Sequence, residues 1–282
     1  MVAKISAKDV KNLRDMTGAG MMDCKKALTE AEGDIEKAIE LLRKKGQKMA
    51  GKRADREAKE GVVIALTSAN RNNGVIIRLG CETDFVAKGE SFIALANSFA
   101  EIALKKLPDS LENFLALPYE GDLTIQDKLT EQIGVIGEKI EISKYEKIVT
   151  AAGEGQVIPY IHMGYRAGVI VALSLEGPDF VEPGKNVAMQ VAAMRPIAVD
   201  KEGVDAKTIE SEIEIGKEQA RAEGKPEAII EKIALGKLNK FFKERTLLNQ
   251  AYVKEGKMSV AQYLQSKDKN LTVTDFKHVE LG

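Results

Sequence analysis

Two histidines, two cysteines and one glycine-rich skeleton are where this chain could do chemistry. His162 lies in "YIHMGYRAG" and His278 in a predicted strand, and no serine-elbow, paired-histidine metal or Cys-His nucleophile signature accompanies them. Cys24 and Cys81 are too few for a disulfide framework and lack the paired spacing of a zinc site, so free thiols are expected. Residues 46–52 spell G-x-x-x-x-G-K, the skeleton of a phosphate-binding loop. Arg53, however, stands where a magnesium-binding Ser or Thr is needed, and a helical pattern rather than a strand comes before it. We therefore expect no cofactor and no catalysis, with an enzyme of nucleotide metabolism as the alternative reading. What remains is "CETDFVAKGESF", 81–92, where Asp84 and Phe85 stand side by side in a short polar connection. An exposed Phe there is a binding wedge, whereas one folded beneath the loop is core.

Composition narrows the partners. The 282 residues allow two or three compact units, and 42 basic against 43 acidic residues leave no global field to draw in nucleic acid or an anionic membrane. "MVAKISAKDV" has no apolar core of signal-peptide length and no run is long enough to span a bilayer, which predicts a soluble, cytoplasmic chain. An RNA-binding or ubiquitin-like adaptor is a third reading, and the near-neutral charge argues against RNA.

Periodicity supplies the elements. Residues 4–46 read as three short helices broken at Gly18 to Gly20 and at Gly33. Ser6 with Asp9 resembles a capping box, Val10, Leu13 and Met16 form one stripe, and Asp34 can cap a third helix carrying Ile35, Ala38, Ile39 and Leu42. Met21 and Met22 follow a glycine turn; spacing favours one as core and the other as a staple, with a partner contact as the alternative. Residues 44–60 are charged and poor in apolar groups, as in a linker or a solvated helix.

Beyond residue 60 the chain repeats itself. "EGVVIALTSANRNNGVIIRL", 60–79, aligns with "EGQVIPYIHMGYRAGVIVAL", 154–173, at an offset of 94 residues, and both read as β-hairpins. One residue of slippage brings Asp84-Phe85-Val86 onto Asp179-Phe180-Val181, though the second loop has a Gly-Pro before its pair, "LEGPDFVEP". A helix follows each loop, with Phe92, Ala96, Phe99 and Ala103 on one face of the first and Val187, Val191, Met194 and Ala198 on that of the second. Third strands are expected from 139 and from 270. Before the latter, an inserted pair of stripes (Ile209, Ile213, Ala220, then Ile230, Ile233, Ala234, Leu238, Phe241) reads as an antiparallel helical hairpin. The expected fold is α+β. An N-terminal three-helix domain spans 1–46, a linker 47–60, and a duplicated antiparallel β/α core 61–150 and 151–282, with the helical hairpin at about 205–247.

"TGAGMMDCKKAL" at 17–28, "CETDFVAK" at 81–88 and "YIHMGYRAGVIVAL" at 160–173, in this order, resemble the bacterial translation elongation factor Ts family along nearly the whole chain. The resemblance implies a nucleotide exchange factor, not an enzyme, that binds the GTPase elongation factor Tu in its GDP form and speeds GDP release. It makes the helical unit similar to a ubiquitin-associated domain and sets Arg14, Met21, Met22 and Lys25 against the GTPase. It also assigns Thr83, Asp84, Phe85 and Val86 to dislodging the partner's magnesium, and His162 to a contact near the partner's phosphate loop. The helical hairpin looks like the family's coiled-coil arm, and a homodimer or a 2:2 complex is left open. The sequence ends at "FKHVELG", so contacts made by a C-terminal helical extension elsewhere in the family are not carried over.

Overall fold

Short polar residues start several of the helices. The computed structural model describes residues 5–282, and residues 1–4 of the expected N-terminal unit lie outside the described residues. Helix α1 (Ala7–Thr17) opens on a full capping box: the Ser6 hydroxyl accepts the Asp9 N–H at 3.2 Å and the Asp9 carboxylate accepts the Ser6 N–H at 3.0 Å. Helix α2 (Met21–Glu30) follows the glycine turn, and Asp34 caps α3 (Ile35–Arg53) by accepting the Lys37 N–H. Val10, Leu13, Cys24, Leu28 and Ala38 form their common core. Helix α3 does not stop at residue 46, so the first part of the expected linker is helical as far as Arg53.

The chain continues through β1 (Glu60–Thr67), β2 (Asn73–Cys81), a single turn α4 (Asp84–Ala87) and α5 (Glu90–Lys106). Next come α6 (Leu111–Leu115), β3 (Pro118–Glu120), β4 (Leu123–Thr124), α7 (Ile125–Ile136) and β5 (Glu141–Val149). Strands β1, β2 and β5 form one sheet in that order, and Phe92, Ala96, Phe99 and Ala103 of α5 are all buried, as their spacing predicts. Helices α3 and α7 meet backbone to backbone. A Cβ on Gly46 would stand 2.7 Å from the Thr130 carbonyl, and one on Gly134 would stand 2.9 Å from the Gly46 Cα. The short β3–β4 hairpin and α7 are not among the expected elements, although Thr124 and Asp127 form a capping box and Ile125, Leu129 and Ile133, all buried, keep a helical period through α7.

The remaining elements are β6 (Gln156–His162), β7 (Ala167–Leu173), α8 (Val181–Met194), α9 (Ala206–Ala222), α10 (Glu227–Arg245), β8 (Ala251–Tyr252), β9 (Glu255–Ser259), α11 (Val260–Gln265) and β10 (Val273–Glu280). Strands β6 and β7 pair antiparallel from Gln156 opposite Leu173 to His162 opposite Ala167, and β10 lies on the far side of β7. Val187, Ala188 and Val191 of α8 pack with Ile158, Val169, Val171 and Leu173 in one core. The expected stripe on α8 is cut short. Met194 is 44% exposed and Ala198 lies past the helix, because Arg195 turns left-handed and Pro196 cannot continue it. Helices α9 and α10 form the antiparallel hairpin, with Ala220, Ile230, Ala234 and Leu238 buried.

The described chain divides into two compact units. One comprises residues 5–64, 77–145 and 280–282, the other 65–76 and 146–279. The two hairpins share a steric device at matching places. Gly61 has φ +146° and a Cβ there would stand 2.1 Å from the Leu79 carbonyl oxygen; Gly155 has φ +119° and would meet the Leu173 carbonyl at 1.9 Å.

Candidate functional site

Thr83 to Val86 occupy the connection between β2 and α5. Thr83 is extended and caps the turn, its hydroxyl accepting the Val86 N–H at 3.4 Å, so that a helical turn starts at Asp84. Phe85 on that turn is 87% exposed, more than any other large apolar side chain among the described residues. Leaving such a ring in water forgoes about 1.5–3 kcal/mol of burial energy, a cost that invites a functional explanation. Asp84 forms an ion pair with Lys88 at 2.6 Å, and that hydrogen bond and charge hold its carboxyl below the usual carboxylate range. Both partners are exposed, so the pair adds little stability.

Two carboxylates stand behind the turn. Glu138, between α7 and β5, accepts the N–H groups of Glu82 and Thr83, each at 3.0 Å, and the Thr83 hydroxyl at 2.6 Å. Glu82 in turn accepts Arg53 at 2.5 Å, Arg56 at 3.3 Å and the Lys139 N–H at 2.6 Å. Burial opposes ionisation of Glu82, but the Lys139 N–H and the Arg53 and Arg56 guanidinium groups outweigh it and keep its carboxyl below the usual range. Its stabilising effect is present above the unfolded-chain value of about pH 4.3 and fades as pH falls through the lower folded value. We therefore expect the melting-temperature gap between the parent and Glu82→Gln to narrow as pH is lowered from about 5 to about 3. A gap that stays constant over that range would speak against an ionised Glu82.

Cys81 sits beneath the same loop and donates to the Thr83 carbonyl at 3.2 Å. Burial, with the Glu138 charge adding to it, pushes its thiol up to about 12, so it is protonated and unreactive at neutral pH. Among the described residues no group of three His, Cys, Asp or Glu is placed to hold a metal ion. No helix among them is long and apolar enough to cross a membrane. Residues 46–52, the phosphate-loop skeleton, lie within α3 and form no loop.

The other expected site residues are spread over the chain. Arg14 and Lys25 are exposed on α1 and α2. Met21 and Met22 are 60% and 63% exposed, which corrects the expectation that one is core: α2 turns its buried side, Cys24, Ala27 and Leu28, to α1 and α3 and leaves its first two residues outside. His162, at the end of β6, is half-buried and its Nδ1 is 2.9 Å from the Tyr160 hydroxyl. Arg14, Met21, Met22, Lys25 and Thr83–Val86 belong to the first unit and His162 to the second. The turn that aligns with it in the sequence, around Asp179 and Phe180, is built differently. Phe180 closes a 3-10 turn begun by Pro178 and is half-buried against the core around Val187 and Leu173.

Arg53, Arg56, Glu82, Glu138 and Lys139 were missed in the sequence. The only signal for them was Glu82 itself, an acid at the point where an apolar strand meets a polar turn.

Comparison with known proteins supplies the last observation. A family model described as "Elongation factor TS" matches residues 82–282. Full-length relatives named "Elongation factor Ts" include that of Christiangramia forsetii, 54% identical over 281 residues and covering 100% of both chains. That of Flavobacterium psychrophilum is 54% identical over 282 residues, again 100% of both. A more distant one, from Clostridium perfringens, is 44% identical over 284 residues, 99% of this chain and 93% of its own.

Proposed function

Because the chain belongs to the elongation factor Ts family, we propose that it binds elongation factor Tu carrying GDP and promotes exchange for GTP during translation, with Phe85 as the wedge. The observation that carries the mechanism is the contrast between two related turns: Phe85 is 87% exposed on a turn tied from behind, whereas Phe180 rests on its own core. Linkage supplies the thermodynamics. A factor that prefers the nucleotide-free GTPase must weaken GDP binding by the same coupling free energy, and no covalent step is required. A ring inserted between partner helices displaces groups that hold magnesium, and magnesium offsets the phosphate charge, so its loss loosens the diphosphate. Arg14, Met21, Met22 and Lys25 supply a second contact with the GTPase, and exposed methionines suit such a surface because they repack readily. His162, oriented by Tyr160, supplies a third near the partner's phosphate loop.

Two finer readings accompany this one. The halves of the core are a duplication, supported by the equivalent strand orders β1-β2-β5 and β6-β7-β10 and by the matching glycine contacts at 61 and 155. The three-helix unit is of the ubiquitin-associated kind, supported by its helix lengths and glycine turn. The chain acts in the cytoplasm, where translation takes place. Elongation factor Tu loaded with fluorescent GDP tests the function: adding the chain should accelerate loss of signal against excess unlabelled GDP, and no acceleration would overturn it.

A further inference from the structure

We propose that Glu138 is a positioning residue for exchange, setting the turn that carries Phe85 through Thr83; this rests on the exchange reading above. The geometry is a relay. One carboxylate takes three hydrogen bonds from two consecutive residues, the N–H groups of Glu82 and Thr83 and the Thr83 hydroxyl. The Thr83 oxygen that donates to Glu138 also accepts the Val86 N–H, the first bond of the turn on which Phe85 stands. Charge-assisted bonds to a carboxylate are the strong kind, and three convergent ones fix a backbone far better than a neutral cap. The relay is itself locked. Glu82 is held by Arg53, Arg56 and the Lys139 N–H, while the Lys139 ammonium donates to the carbonyls of Ala54 at 3.1 Å and Arg56 at 2.9 Å. Three chain segments, 53–56, 82–83 and 138–139, thus interlock behind one exposed ring.

A wedge works only if it does not fold back when pushed. Phe85 has almost no packing of its own, so its resistance comes from the turn, and the turn's from Glu138. Glu138 bonds Glu82 and Thr83, so it acts on the ring through the turn.

Exchange kinetics on full-length chains test this. Glu138→Ala should lower the maximal rate of GDP release at saturating factor by about tenfold or more, with the half-saturating concentration changed by less than about threefold. The same substitution in a Phe85→Ala background should add little, because the device acts through that ring. Thr83→Val, which removes the hydroxyl relay and keeps both backbone bonds, should give an intermediate loss and serves if Glu138→Ala folds poorly. Full activity of Glu138→Ala, or an equal fold-loss in the Phe85→Ala background, overturns this proposal alone. Should Glu138→Ala not fold, full activity of Thr83→Val does the same. Failure of the unaltered chain to accelerate release overturns the exchange reading and this proposal with it.

Discussion

Phe85→Ala is expected to slow GDP release from elongation factor Tu by at least about tenfold, a loss of about 1.4 kcal/mol of transition-state stabilisation, without changing the melting temperature of the free chain. The ring is 87% exposed, so removing it takes almost nothing from the folded state. Phe180→Ala should do the reverse. That ring is half-buried against the core of Val187, Val191 and Leu173, and its loss should cost about 2 kcal/mol and lower the transition by roughly 4–8 °C. Stopped-flow exchange and thermal melts on the two variants separate the roles. If the two behave alike in both measurements, exposure is not what distinguishes the turns and the wedge loses its structural support.

The second large effect concerns Gly155. Its φ of +119° is a conformation that side chains rarely adopt, and an added Cβ would stand 1.9 Å from the Leu173 carbonyl oxygen. The nearest atoms are all backbone, of Leu173 and Ser174, so no flexible group can yield and β6 and β7 would have to part at the end where Gln156 pairs with Leu173. Gly155→Ala should therefore destabilise its unit by about 3 kcal/mol or more and appear as poorly soluble or early-melting protein. Gly236→Ala is the control. Within α10, with nothing within 4 Å of its would-be Cβ, it should leave stability equal or raise it by about 0.5–1 kcal/mol. Equal melting of the two variants would refute the steric account.

Local chemistry made much of this fold readable. The Ser6 and Asp34 caps, the α5 stripe, both hairpins and the helical hairpin follow from periods and turn residues within a few positions of one another. The alignment of Phe85 with Phe180 also raised the right question, whether one Asp-Phe pair is core and the other free. Helix α7 was missed despite a local cap and stripe, but the other failures arose where distant chain decides. Met194 fitted the 3.6-residue period but fell at a helix end set by Pro196, and the expectation that one of Met21 and Met22 is core failed because the three-helix core fills without either. Glu138 was invisible because its partners lie 55 and 56 residues away, and periodicity carries no information across such a span. The part of the site most dependent on tertiary contact was thus the least legible.

The crossing of α3 and α7 at Gly46 and Gly134 bears on how this chain can be taken apart. A cut after residue 46 severs α3 in mid-course and leaves α7 with a bared groove that only a glycine-bearing helix fits. The three N-terminal helices are therefore no portable cassette. A chimera that exchanges them with a relative's must exchange α7 as well, since at this joint neither backbone tolerates a methyl group on the other.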